Sequence, residues 1–102
     1  MDMMMIQRMM KDAQKMQKKM AEEMRELRLT GESGGGRVKV VMNGEKIVQS
    51  VKIEPSVINP ADAETLEDLI VLACRDAAEK ADKMLQEKVG GMAGGMKIPG
   101  MF

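Results

Sequence analysis

Residues 29–54, LTGESGGGRVKVVMNGEKIVQSVKIE, decide how this chain folds. Val38, Val40 and Met42 alternate with Arg37, Lys39 and Val41; further on, Ile47, Gln49, Val51 and Ile53 alternate with Val48, Ser50, Lys52 and Glu54. A period of two sends successive side chains to opposite faces of a strand, so each run offers one set to a core and the other to solvent. Between the runs lies Asn43-Gly44, a pair that suits a two-residue type I′ hairpin, because that turn needs positive φ at both central residues. Upstream, Gly34-Gly35-Gly36 forms a permissive turn that leads back to a short first strand over Leu29–Ser33. The stretch reads as a three-stranded antiparallel meander. So small a sheet needs a cover, and the segments on either side must supply it.

Both flanking segments carry helical patterns. From about Asp2 to Glu26 no Gly or Pro interrupts a run of good helix formers, and Ile6, Met9, Ala13, Met16, Met20, Met24 and Leu27 recur at three- and four-residue steps. A helix of that length measures roughly 35–40 Å at ~1.5 Å per residue, longer than three strands are wide, so its N-terminal half is expected to project. Beyond the meander, Pro55 ends the third strand and Asn59-Pro60 opens a second helix, with acidic Asp62, Glu64, Glu67 and Asp68 at the positive end of its dipole. This helix is expected to stop near Val89, at Gly90-Gly91. The expected organisation is one α+β domain over residues 1–89, a long N-terminal helix, three strands and a long C-terminal helix (α-β-β-β-α), followed by a flexible Gly/Met-rich tail over 90–102.

The second helix is apolar on more than one side. Leu66, Leu69, Ile70, Ala73, Ala77, Ala81 and Met84 make one stripe; Val71, Cys74, Ala78 and Leu85 make another beside it, with Leu72 on a further side. One small sheet cannot cover that width, and a second copy of the chain is the simplest partner. The sequence therefore predicts a homodimer with Leu69, Ile70, Val71, Leu72, Cys74 and Ala78 at its interface. On the first helix, Arg8, Lys11, Lys15 and Lys18, with Lys19 beside them, lie about half a turn from the methionine stripe at ~100° per residue. Asp12 is the single acid between Met5 and Met20. Such a face is either an ordinary solvated surface or a stripe that meets phosphates.

Composition narrows the function. The chain has 102 residues, sixteen of them basic and sixteen acidic, so its net charge of zero gives no global pull toward nucleic acid and any such pull must be local. Phe102 is the one aromatic residue, which removes the stacking platforms of single-strand binders. Histidine is absent and Cys74 is the one cysteine, which excludes a Cys/His zinc site or a disulfide framework within one chain and removes the commonest general base. The triple glycine lacks the spacing of a phosphate loop and leads into a strand, not a helix. No enzyme, cofactor or metal is expected. No apolar run approaches the ~18 residues of a membrane span and no signal-peptide pattern opens the chain, so a cytoplasmic location is expected.

Five pieces, taken in order, are familiar together: AQKMQKKM in the first helix, TGESGGGRVKV through the first turn, VKIEP over Val51–Pro55, LEDLI with Asp76-Ala77 after it, and the closing MKIPGMF. They resemble the YbaB/EbfC family of bacterial nucleoid-associated proteins over nearly the whole chain. The resemblance implies an α-β-β-β-α protomer, a tweezer-like homodimer, binding to double-stranded DNA, and a place in nucleoid organisation, gene regulation or recombinational repair. It supplies no residue-by-residue DNA motif, so the candidate contacts stay those read from the first helix: Arg8, Lys11, Lys15, Lys18 and Lys19. The other reading is a protein–protein adaptor that grips a partner through the methionine-rich helix and the tail, with DNA contact secondary.

Overall fold

The computed structural model describes residues 2–93. Asp2 caps the first helix, α1 (Met3–Glu26), its side chain accepting a hydrogen bond from the Met4 N–H at 2.9 Å. Three strands follow, β1 (Leu29–Ser33), β2 (Val38–Met42) and β3 (Val48–Ile53), then a 3₁₀ turn over Pro55–Val57 and the second helix, α2 (Ala63–Ala93). The sheet is the expected antiparallel meander in the order β1-β2-β3. Its first turn places all three of Gly34, Gly35 and Gly36 at positive φ.

The second turn differs from the sequence expectation. Gly44 does not take positive φ; Lys46 does, at 65°. Asn43 N–H donates to Ile47 O at 3.0 Å, closing a three-residue loop, and Asn43 Oδ1 accepts from the N–H groups of Glu45 and Ile47. The glycine is needed for a different reason. Gly44 N–H donates to Met24 O at 2.7 Å, and a Cβ at Gly44 would sit 2.8 Å from that oxygen. Asn-Gly therefore fastens the end of α1 to the sheet instead of making a type I′ turn. The loop also shifts the ladder: Met42 pairs with Val48 and Val41 with Ser50, so Val48, not Gln49, stands in line with Val51 and Ile53.

α2 differs at both ends. It starts at Ala63 rather than at Asn59-Pro60, because Asp62 is the better cap: its carboxylate accepts from Thr65 N–H at 3.3 Å and Thr65 Oγ1 at 2.6 Å. At the other end it runs through Gly90-Gly91 to Ala93. Glycine weakens a helix by about 1 kcal/mol relative to alanine, and it ends one only where it takes the left-handed conformation, which neither of these does. The rest of the expected tail, residues 94–102, lies outside the described residues.

The core forms where α2 crosses β1 and β2. Val38, Val40 and Met42 meet Ala73 and Ala77, and Leu66, Leu69, Ile70, Cys74 and Ala78 pack around them. The helix comes unusually near the sheet because the facing residues are small. Gly31 of β1 lies directly under α2: a Cβ there would overlap the Ala73 carbonyl oxygen and the Ala77 amide nitrogen and sit 2.8 Å from Ala77 Cβ. Polar groups lock the same contact. Ser33 Oγ donates to Leu69 O, Asp76 accepts from Glu32 N–H at 2.9 Å, and Lys80 Nζ donates to Thr30 O at 2.7 Å. Asp76 and Lys80, 3.3 Å apart, thus occupy backbone groups on the outer edge of β1. The Glu32 N–H and then Lys80 hold the Asp76 carboxyl below its usual range.

α1 does not cover a sheet face, contrary to expectation. It is fastened at its last turns, where Met24 is buried against Gly44 and Arg25 pairs with Glu45 at 3.1 Å. The rest runs antiparallel to the distal part of α2, touching it through Lys88–Glu23 at 3.2 Å, and extends the protomer to 70 × 28 × 16 Å. Of the methionine stripe, Met24 is buried and Met20 half-buried, while Ile6, Met9 and Met16 are exposed.

Gly31→Ala should lower the unfolding free energy by roughly 3 kcal/mol, since the overlap is with backbone that cannot step aside. Gly35→Ala, with open space around it but positive φ, should cost about 1 kcal/mol. Urea denaturation of both variants checks the order. Because the folded Asp76 carboxyl is depressed, its contribution to stability is present above the usual carboxylate range and is lost as pH falls through the folded value. The melting-temperature gap between the parent and Asp76→Ala should therefore be steady near neutrality and close in acid; a gap unchanged below the carboxylate range would remove Asp76 from this role.

Candidate nucleic-acid interface

The absence of Gly and Pro from α1 keeps five cations on one continuous helical surface. Arg8, Lys11, Lys15, Lys18 and Lys19 are each exposed or nearly so, and none forms an ion pair among the described residues. From Arg8 to Lys19 the row runs about 16 Å at ~1.5 Å per residue, a distance that spans several phosphates of one DNA strand at ~3.4 Å each. Arg8, Lys11, Lys15 and Lys18 lie on the side of α1 opposite Met20 and Met24, which face the cavity that α2 closes with Asp82 and Leu85, whereas Lys19 borders a cavity shared with Met16, Met20 and Lys88 of α2. Toward the sheet Glu22 and Glu26 reverse the sign, so the positive field belongs to the projecting part of the helix.

Other cations are arranged differently. Arg25, Arg37, Lys39, Lys46, Lys80 and Lys88 all stand within ion-pair distance of an acid. On the sheet surface turned away from α2, Lys39 meets Glu32 at 3.6 Å and Arg37 meets Glu54 at 3.9 Å, while Lys52, cross-strand from Lys39, has no acid within ion-pair distance among the described residues. Among the described residues no group of three or more His, Cys, Asp and Glu is placed to hold a metal ion, and no helix is long and apolar enough to cross a membrane.

The six residues expected at a dimer interface divide into two sets. Leu69, Ile70, Cys74 and Ala78 are half-buried against their own core, while Val71 and Leu72 are exposed, at 48% and 51%. Asp76 and Lys80 turn one side of α2 toward β1, and at ~100° per residue Val71 and Ala78 lie about half a turn away, on the side of β3, as does Leu85 further along, which borders the α1 cavity. β3 itself is uncovered: Val48 and Val51, in register with the buried Met42 and Val40, are each 46% exposed. Helix and strand together form an open apolar corner. The second stripe of α2 was readable from its spacing. The contribution of β3 was not, because period-two alternation assigns a core face without saying whether the helix reaches it.

A row of cations without ion-pair partners among the described residues thus lies on the projecting part of α1, carried by a helix-flanked three-stranded sheet. The model of the YbaB/EbfC DNA-binding family matches residues 3–96, and the chain belongs to that family. The chain is 44% identical over 100 residues to the nucleoid-associated protein TTE0040 of Caldanaerobacter subterraneus, covering 95% of this chain and 90% of that one. It is 42% identical over 97 residues to the nucleoid-associated protein Rru_A3472 of Rhodospirillum rubrum, covering 92% and 91%. The fold matches the crystal structure of the uncharacterized protein HP0035 from Helicobacter pylori with a TM-score of 0.77 at 22% identity, over 90% of this chain and 97% of that one. The family is a nucleoid-associated DNA-binding one and not an enzyme family.

Proposed function

We propose that this chain binds double-stranded DNA as a homodimer in the bacterial nucleoid, gripping the sugar–phosphate backbone with the basic face of α1, and that it serves nucleoid organisation or gene regulation. The observation that carries the reading is the uncompensated row Arg8, Lys11, Lys15, Lys18 and Lys19, set against a body whose cations are mostly paired. Contacts to phosphate position a duplex and carry little sequence information. Without an aromatic wedge or an evident base-reading side chain on that face, preference for particular DNA rests on shape and deformability. The names of the relatives support the nucleoid location, and the open corner of Val48, Val51 and Val71 supports the dimer. Two copies joined there by a two-fold axis would present two basic arms.

Two measurements test these claims separately. Val51→Glu leaves the protomer core intact, because Val51 is already half-exposed, but places an unpaired charge in the corner. It should weaken the dimer by roughly 3 kcal/mol, about a hundredfold, in sedimentation equilibrium. A dimer unaffected by it would place the interface elsewhere.

For DNA, counterion release predicts the outcome. If Lys15 meets one phosphate per arm, Lys15→Ala removes two contacts per dimer and should flatten the log K against log salt slope by roughly 1.8. Lys88→Ala is the control, since Lys88 already pairs with Glu23. Equal losses from the two variants, or an unchanged slope for Lys15→Ala, would return the α1 face to plain solvated surface and favour the adaptor reading.

A further inference from the structure

The Asn43-Gly44 step carries a reactivity that the fold suppresses. In a flexible chain an Asn-Gly pair loses ammonia readily, because with no side chain in the way the glycine amide nitrogen reaches the asparagine Cγ. Here both partners are held. Asn43 is 4% exposed and Gly44 is buried. Asn43 Oδ1 accepts from the N–H groups of Glu45 at 2.9 Å and Ile47 at 3.0 Å, which fixes the side chain. The Gly44 N–H, the group that would attack, donates to Met24 O at 2.7 Å. That oxygen lies in the last turn of α1, where carbonyls lack a helical partner. Met24 also closes the space over the glycine, since a Cβ there would lie 2.7 Å from Met24 Cε. The nucleophile is therefore held by the end of α1 and not by the loop that contains it. That attachment is narrow: among the described residues of α1 Met24 alone is buried, and the Arg25–Glu45 pair beside it is exposed. An attachment with so few buried contacts opens more often than a core does.

We propose that Asn43-Gly44 is a deamidation site gated by α1, inert while the end of the helix is docked and reactive when it lifts. Once free, the Gly44 nitrogen attacks the Asn43 Cγ. The N–Cγ bond forms, the Cγ–Nδ2 bond breaks, and ammonia leaves with the proton that the glycine amide gives up. The product is a succinimide ring, and water is the one further reactant. Water adding at Cγ returns an ordinary aspartate at position 43. Water adding at the main-chain carbonyl carbon leaves isoaspartate, whose main chain is longer by one methylene. With Asn43 N–H fixed on Ile47 O at 3.0 Å, that extra length carries the Gly44 N–H off Met24 O. The end of α1 is then held less firmly than before, so each lapse of the contact leaves a permanent mark that favours the next. The proposal concerns how α1 is attached and does not rest on DNA binding.

Amide hydrogen exchange and mass spectrometry of the full chain near neutral pH test it. In the parent protein the Gly44 amide should exchange through a local opening, roughly tenfold or more ahead of the Val40 amide in the core. Met24→Ala, which loosens the helix end, should speed isoaspartate formation at position 43 by roughly tenfold over the parent. Gly31→Ala weakens the α2–β1 contact instead and should speed it less. Exchange of Gly44 only through global unfolding would overturn the proposal, and that measurement needs no variant. So would equal acceleration by the two substitutions, or a folded parent that deamidates as fast as the chain in concentrated urea.

Discussion

The close approach of α2 to β1 governs the rest of the structure. Gly31 brings helix backbone almost onto strand backbone, and Ala73, Ala77 and Ala81 keep the helix side of the contact equally thin. A helix drawn down over β1 cannot also spread over β3. The polar clamp made by Asp76 and Lys80 on the outer side of β1 pulls it in the same direction. Val48 and Val51 are left open as a consequence, together with the second apolar stripe of α2. The open apolar corner is thus a by-product of how tightly the chain closes on its other side.

Charge is partitioned along the same long axis. In the body, acids and bases neutralise one another at short range, and exposed pairs of that kind contribute little to stability. On the projecting half of α1 the bases have no such partners, so their field extends into solvent over roughly a Debye length. A chain with zero net charge can in this way hold a local positive arm. The reach of that field depends on ionic strength much more than the fold does.

Much of this was readable in the amino-acid order. Period-two runs at Val38–Met42 and Val51–Ile53, the glycine triplet and the uninterrupted helix from Met3 specified the α-β-β-β-α order, and the spacing of Arg8 to Lys19 placed five cations on one face. Asn43-Gly44 misled because the same dipeptide serves two needs. Its glycine could answer a positive φ or a close approach, and only the position of Met24 distinguishes them. Gly90-Gly91 misled because glycine lowers helix stability without dictating a stop. The cover of the sheet was misassigned to both helices because an apolar stripe records that something is covered and not by what. Gly31 offered a signal, a glycine inside a strand pattern, and Asp76 with Lys80 offered an i,i+4 pair; neither spacing reveals that they converge on one strand edge.

That edge sets a limit on assembly. A strand whose outer carbonyls and amides stand free can accept another strand, and a sheet with two such edges can grow without end. Here the Thr30 carbonyl and the Glu32 amide are already spent on Lys80 and Asp76, so β1 is a closed end. A unit with one open edge has a valence of one: it can pair once, with a neighbour turned to face it, and the chain of additions terminates there. A chain with one closed edge thereby avoids turning its own sheet into a filament.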